Sequence, residues 1–597
     1  MKPRMIINIY ATMALLVIAS CKKTGLLNQT PPTSLSDAAY WHTVSDLQNY
    51  MNNLYSNDGI FPHYRDWASL GIYSVDENSD NMVPQSVNAR LNGQNTVQGN
   101  GTYADWATIR DVNYFLANYT RVSASASDIA PYLGEAYFFR AVLYYNALRK
   151  VGGVPWISQP LNINDTALLN APRLPRNMLV DSIVNDLDKA ITDLPTKGQA
   201  QTQRVYREYA QGLKARICLY EGTWEKYHAG DAFGVSGQDG SKYLQLAADA
   251  ADTVIASGIF QLDNVGASNG YFDLFNQTDY SSSKEIMFWG AYNQQAGVTT
   301  HWQDYFQFGS TGTNSDGLSK SLVDDYLCID GKPISASPLY KGDDSLAHIV
   351  QNRDPRLRQS IFLFGDTVET NQPANAPDVL FQYPAFNTGT PCTTGFQIRK
   401  GLNTDVSQNS YGGTAPGGTD GVIYMRYAEI LLIYAEARAE LGQLTQADVD
   451  MTINKLRDRV GMAHLNIAAI TDDPKWIFPG LSPVINEIRR ERRVELACEG
   501  FRFDDICRWA AASDLIVHKQ PLGTKVQQFL TVPLAAGPLK VGQNIFVDAQ
   551  GYIIPYAQNS NMANGYQFNV NRDYLLPVPL QETVVNPQIK QNPGWAQ

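Results

Sequence analysis

What most constrains this chain is a helical apolar period that arrives in paired segments, each pair punctuated by glycine or proline. Residues 106–122 (WATIRDVNYFLANYTRV) and 131–150 (PYLGEAYFFRAVLYYNALRK) form the first pair. In the second segment Leu133, Ala136, Tyr137, Ala141, Tyr144, Ala147 and Leu148 fall on one face, and Gly152-Gly153 stops it. Residues 176–194 and 204–222 form another pair, with Pro195 and Gly198 in the turn. A further helix is predicted over 243–257, closed by Gly258. Residues 424–441 (YMRYAEILLIYAEARAEL) precede Gly442; Thr445 then caps a partner ending near Gly461, with Asp448 in capping-box position. A helix pair cannot bury its apolar face alone, so such pairs must stack into a curved scaffold.

Small residues stand where two helices would meet, among them Ala141, Ala435, Ala437 and Ala439. In this the pairs resemble tetratricopeptide-type units, without a strict repeat of about 34 residues. Between the pairs, roughly 56–104, 260–420 and 511–570 carry no helical period and are rich in Gly, Asn, Ser, Thr, Asp and Tyr. Loops of that length inside a compact domain are uncommon unless functional or disordered, and their scattered aromatics argue against disorder. The expected fold class is mainly α: a curved scaffold of helix pairs bearing long irregular loops and a few short strands. At 597 residues and 44% hydrophobic content, the chain can hold a large core or two subdomains.

The N-terminus speaks to location. Lys2 and Arg4 precede a mostly apolar run, and Ala19 and Ser20 are small, as signal-peptide cleavage requires. The run holds about 13 residues, short of the roughly 20 that span a bilayer. Ile18-Ala19-Ser20-Cys21 resembles the lipobox of bacterial lipoproteins. That resemblance implies a diacylglycerol on the Cys21 sulfur and cleavage before it, rather than a buried cysteine ending a signal-anchor helix. Two or three acyl chains anchor stably where one is marginal. The expected boundaries are a signal peptide over 1–20, a lipid-anchored tether over 21–27 and the folded body over 28–597.

Without Lys2 and Arg4 the chain holds 45 basic against 58 acidic residues, a net of −13, which disfavours nucleic acid and any polybasic grip on anionic lipid. Cys218, Cys328, Cys392, Cys498 and Cys507 are odd in number and lack C-x-x-C spacing, so buried free thiols are expected rather than disulfides or structural zinc.

Ser482 and Pro483 read as N-cap and first residue of a helix whose INEIRRERRVELACEG run looks basic. Arg489, Arg490, Arg492 and Arg493 nonetheless face Glu487, Glu491, Glu495 and Glu499, four against four. The glutamates recur every four residues along one face, which predicts an ion-pair network locking the helix rather than a catalytic surface.

Enzymatic motifs are weak. Gly266-Ala267-Ser268-Asn269-Gly270 satisfies G-x-S-x-G without the strand and helix a nucleophile elbow needs. Asp324-Asp325, Asp343-Asp344, Asp472-Asp473 and Asp504-Asp505 are sequence neighbours, whereas glycosidase carboxylates face each other about 5–10 Å apart across a cleft. The seven histidines include no H-x-x-x-H pair for zinc. No enzyme and no cofactor are expected; a calcium ion steadying a loop is left open.

Glycan capture asks for flat aromatics against the C–H faces of a sugar ring, with amides and charged groups for its hydroxyls, in a concave site. DENSDNMVPQSVNARLNGQNTVQGNGTYADW offers Asn81, Arg90, Gln98 and Tyr103. FWGAYNQQAGVTTHWQDYFQF gathers Trp289, Tyr292, His301, Trp302, Tyr305 and Phe306 within eighteen residues. FQYPAF adds Tyr383. The ligand-binding candidates are therefore Trp289, Tyr292, Trp302, Tyr305, Asn81, Arg90, Tyr103 and Tyr383, each also able to serve simply as core.

Several segments, in order, resemble the SusD/RagB family of outer-membrane lipoproteins of Bacteroidetes. They are LNQTPPTSLSDAAYWHTVSDLQNYMNNLYS, GEAYFFRAVLYYNALRKVGGVPWI, LVDDYLCIDGKPI with NRDPRL, YMRYAEILLIYAEARAELG, INEIRRERRVELACEGFRFDDICRW and YLLPVPLQETVVNPQIKQNPGW. Cys498 and Cys507 depart locally from that pattern. The resemblance covers nearly the whole mature chain and divides it into an N-terminal helical part (28–258) and a C-terminal SusD/RagB part (259–597). It implies a scaffold of four tetratricopeptide-like units at the cell surface, lying over a SusC-like TonB-dependent transporter. The implied work is capture of an oligosaccharide and its delivery for import, without catalysis. Two alternatives stay open: a peptide-binding RagB-like member of the same uptake system, and a helical protein-interaction scaffold without a small ligand.

Overall fold

The computed structural model describes residues 40–63, 75–263, 266, 268–300, 316–371, 376–386, 391–408, 417–534 and 537–596. Cys21 and the signal segment lie outside the described residues, as do His301, Trp302, Tyr305, Phe306 and Ala267.

Helix α1 (Val44–Tyr55) opens on a capping box between Thr43 and Asp46. α2 (Trp106–Asn118), α3 (Ala126–Val151), α4 (Arg176–Asp193), α5 (Arg207–Tyr227) and α6 (Ser241–Ala256) follow. Each packs on its predecessor from α2 onward, and α1 leans on α3. α3 begins before Pro131, expected to be its first residue. Ser125 caps it by accepting from the Asp128 backbone N–H at 3.2 Å, and Pro131 sits in its second turn. Its end is as the sequence indicates: Gly152 takes φ 78°, a left-handed conformation costly for a residue with a Cβ. A Cβ on Gly153 would lie 1.9 Å from the Leu174 carbonyl oxygen, so only glycine lets these backbones approach.

The stack continues across residue 259. Strand β1 (Met82–Val83) pairs antiparallel with β3 (Gly317–Leu318), and β4 (Thr367–Glu369) with β5 (Val379–Leu380). β2 (Ile286–Gly290) pairs with β6 (Val422–Arg426), whose end runs directly into α7 (Tyr427–Glu440). This corrects the helix expected from residue 424: Tyr424, Met425 and Arg426 are strand, because β2 supplies the backbone partners that a short apolar run cannot announce by its own period. α7 packs on α6 and is buried almost all round. Three carboxylates in it are each met by a cation: Glu429 by Arg216 at 2.6 Å, Glu436 by Arg508 at 2.5 Å and Glu440 by Lys226 at 2.7 Å.

The partner after Thr445 is two short helices, α8 (Gln446–Met451) and α9 (Ile453–Val460). They break at Thr452, whose hydroxyl donates to the Asp448 carbonyl at 2.5 Å, a back-bond that bends helices. The Thr445–Asp448 capping box is present.

Helix α10 (Pro483–Glu495), with Ser482 as N-cap, is buried along its length. The predicted ion network exists, but its geometry differs from a ladder along the helix. Only Arg490–Glu487 joins two residues of α10. Glu491 is held by Arg356 at 2.7 Å and Arg457 at 2.9 Å; Arg492 by Asp505 at 2.9 Å; Arg493 by Asp80 at 2.8 Å and Asp325 at 2.5 Å. A buried charge needs a close partner, and here the partners arrive from other elements, so α10 ties distant segments of the chain together. Helix α11 (Arg502–Arg508) follows it.

Two main hydrophobic cores result. The larger joins α1–α7 to α10, α11 and the C-terminal segment; the smaller gathers Met82, Tyr292, Leu318, Tyr326, Phe381, Phe386 and Phe396 beneath the loops. All five described cysteines are free and buried, and burial pushes the Cys218, Cys392 and Cys507 thiols up to about 12, so they act as packing groups.

Candidate functional site

The three stretches rich in candidate residues come from distant parts of the chain, and all contribute to the smaller core. Met82 belongs to the first, Tyr292 to the second, Phe381 and Phe386 to the third. The β1–β3 register, Met82 opposite Leu318, stitches the first stretch to the chain beyond residue 315.

Individual candidates separate within this frame. Tyr292 turns inward, its hydroxyl donating to the His63 carbonyl at 2.6 Å. Trp289, at the end of β2, is half-buried and lies edge-on to Tyr280, 5.4 Å between centroids. Asn81 is buried; it donates to Asp76 at 3.0 Å and accepts from Arg493 Nε at 2.9 Å, which places its amide in the α10 network. Arg90 donates to the carbonyls of Asp573 and Tyr574 at 2.8 and 2.9 Å and covers the Phe503 ring at 4.4 Å. Tyr103 is buried edge-on to Trp106 at 5.5 Å. It lines a groove of 290 Å³ with Arg110, Asn113, Gln159 and Glu582. Arg90 and Tyr103 thus serve the larger core and C-terminal segment, apart from Tyr292 and Tyr383. Trp302 and Tyr305 belong to the undescribed residues between Thr300 and Asp316.

Tyr383 has a partner that sequence reading missed. Phe364 is 68% exposed, and its ring lies 6.0 Å from that of Tyr383 at an interplanar angle of 38°. Two residues earlier Phe362 turns in and stacks on Phe381 at 4.6 Å and 10°. Gly365, at φ 87°, forms the turn that leaves Phe364 outside. A phenylalanine just before a turn glycine was the available signal. In the same segments, Arg358 is held by Asp366 at 3.0 Å, and Gln382 is exposed. The pair offers flat aromatic surface of the kind that packs on the C–H face of a sugar ring.

At the β1–β3 edge, burial and the neighbouring Glu77 carboxyl raise the Asp316 carboxyl above the usual carboxylate range. The four adjacent acidic pairs diverge to separate partners, as Asp324 and Asp325 do to Lys320 and Arg493. Among the described residues, no cluster of three or more His, Cys, Asp or Glu side chains is placed to hold a metal ion.

The sequence model of the SusD family matches residues 271–595, and the chain belongs to that family. It is 24% identical over 593 residues to SusD-like protein P2 of Formosa agariphila, covering 97% of this chain and 98% of that one. A SusD-like carbohydrate-binding protein of Bacteroides fragilis shares the fold with TM-score 0.66 and 21% identity, over 92% of this chain and 100% of that chain. A laminarin-binding SusD-like protein does so with TM-score 0.57 and 18% identity, over 93% and 100%.

Proposed function

We propose that the chain is a glycan-capture lipoprotein, anchored through Cys21 in the outer membrane at the cell surface. It hands oligosaccharide to a SusC-like TonB-dependent transporter. The observation that carries the reading is the ring pair of exposed Phe364 and half-buried Tyr383, whose neighbours Phe362 and Phe381 belong to a core to which all three candidate stretches contribute. Similar structures described as carbohydrate-binding and laminarin-binding support it, as does family membership. Trp289, Trp302 and Tyr305 remain proposed ligand contacts. Asn81 and Arg90 are proposed to act by holding their segments in place, since their polar groups are engaged within the fold. The test is binding of the soluble chain, begun at Lys22, to a polysaccharide panel that includes laminarin. Binding to no glycan, with binding to peptides instead, would replace this reading with the peptide-capture alternative.

A further inference from the structure

The 290 Å³ groove that Tyr103 lines is apolar at its rim. Leu169 and Val585, both on its wall, are 46% and 71% exposed. Leu580 and Val584, on the short helix of Val585, are exposed with them. Asn586 holds the two sides of the rim together, donating to the carbonyls of Leu169 and Ala171 at 3.3 and 3.0 Å. Trp106, Ile109, Ile157 and Leu168 continue the apolar wall. Contiguous exposed aliphatic surface of this kind marks an interaction site.

A matching segment of the chain itself lies within reach. The described chain begins at Tyr40, and Trp41 packs on Tyr114 and Phe115 of α2, with ring centroids 6.1 and 6.0 Å apart. Tyr114 is one helical turn from Arg110, a wall residue of the groove, so the chain enters the fold beside it. Leu35 precedes Tyr40 by five residues, a reach of up to about 17 Å, whereas the wall residues 106–113 of α2 span about 10 Å. The wall holds one base and one acid, Arg110 and Glu582, which favours an uncharged guest. Residues 24–36 (TGLLNQTPPTSLS) carry no charge. Pro31 and Pro32 fix φ and favour an extended polyproline-type segment, which loses little entropy on docking and seats in aromatic-lined grooves. Tyr103 and Trp106 supply the aromatic wall, and exposed Gln159 an amide for a peptide carbonyl.

We infer that this groove is the docking site of residues 31–35 (PPTSL) of the same chain, with Pro31, Pro32 and Leu35 against its apolar rim. The docking rests on this wall and on where the chain enters it, and stands whether or not the surface pair binds glycan. Its consequence rests on the proposed acylation of Cys21. With 31–35 docked, the free tether is residues 22–30, about 30 Å at full extension in place of about 60 Å for 22–39. The face of Leu169 and Val585 is then held toward the membrane.

The experiment is fluorescence anisotropy of a labelled peptide of residues 28–37 (NQTPPTSLSD) titrated with the chain begun at Lys22. A segment tethered beside its site competes at high effective concentration, so the intact chain should exclude the peptide. The variant Pro31→Ser, Pro32→Ser, Leu35→Asp disables the chain's own segment and should bind the peptide saturably, at least about tenfold more tightly than the intact chain does. Adding Val585→Arg to that variant should abolish the binding, since a charge there spoils the apolar rim while Val585 itself is exposed. Should that variant fail to fold, Leu169→Glu takes its place. No binding to the disabled chain, equal binding to the intact and disabled chains, or binding indifferent to the rim variant would overturn the inference. A concentration-dependent dimer of the intact chain that Val585→Arg dissolves would also overturn it, in favour of a second copy on the rim.

Discussion

Arg426 Nη1 donates to Glu495 Oε1 at 2.6 Å, with both side chains sealed from solvent. Glu495 also receives Arg356 at 2.7 Å and Arg459, so one carboxylate from α10 joins the helix at 355–360, strand β6 and helix α9. The three guanidinium groups hold its carboxyl well below the usual carboxylate range despite its burial. Removing one partner of such a set leaves uncompensated buried charge, at a cost of about 3–5 kcal/mol. Glu495→Gln is therefore expected to lower stability by about that much, read from urea denaturation. A loss under about 1 kcal/mol would mean that the network is not the tie described.

A second prediction concerns pH. Asp420 is fully buried; Asn403 donates to its Oδ1 at 2.6 Å, while among the described residues Oδ2 has no partner, and burial raises its carboxyl to about 7. The folded chain therefore holds this proton more tightly than the unfolded chain. Stability should fall as pH rises from about 4 through about 7, at up to about 1.4 kcal/mol per unit for one group. Asp420→Asn should flatten that slope, measured as urea midpoints at about pH 5 and about pH 8. An unchanged slope would place the titration elsewhere.

Anchoring gives a third. Cys21→Ser is expected to abolish labelled palmitate incorporation and release the chain from the membrane fraction. Continued labelling or retention would remove Cys21 from its proposed role.

Much of the scaffold was legible because apolar period, caps and glycine stops are local signals. The Thr445 cap, the Ser482 cap and the Gly152 stop all stand where those signals put them. Errors arose where the deciding partner was remote. β2 turns residues 424–426 into strand, and charged partners from other segments, Arg356, Arg457, Asp505 and Asp80, replace the ladder expected along α10. The candidate site was half legible for the same reason. Composition found the loops that share the smaller core, but only tertiary structure distinguishes inward Tyr292 from exposed Phe364. It also shows that Asn81 and Arg90 have their hydrogen bonds inside the fold.

The surface pair makes the fourth prediction. Phe364→Ala with Tyr383→Ala should weaken glycan binding at least about tenfold, or about 1.4 kcal/mol, with little loss of stability because Phe364 is 68% exposed. Trp302→Ala with Tyr305→Ala is expected to do the same. Unchanged affinity in a folded variant would remove that pair from the ligand face.

The most direct measurement is calorimetric titration of the soluble chain against laminarin and the other polysaccharides of the panel, alongside the Phe364–Tyr383 double variant. Saturable binding to at least one glycan, lost or weakened about tenfold in the variant, is the predicted result. No heat with any glycan, or a glycan bound equally by both proteins, would contradict glycan capture at this face.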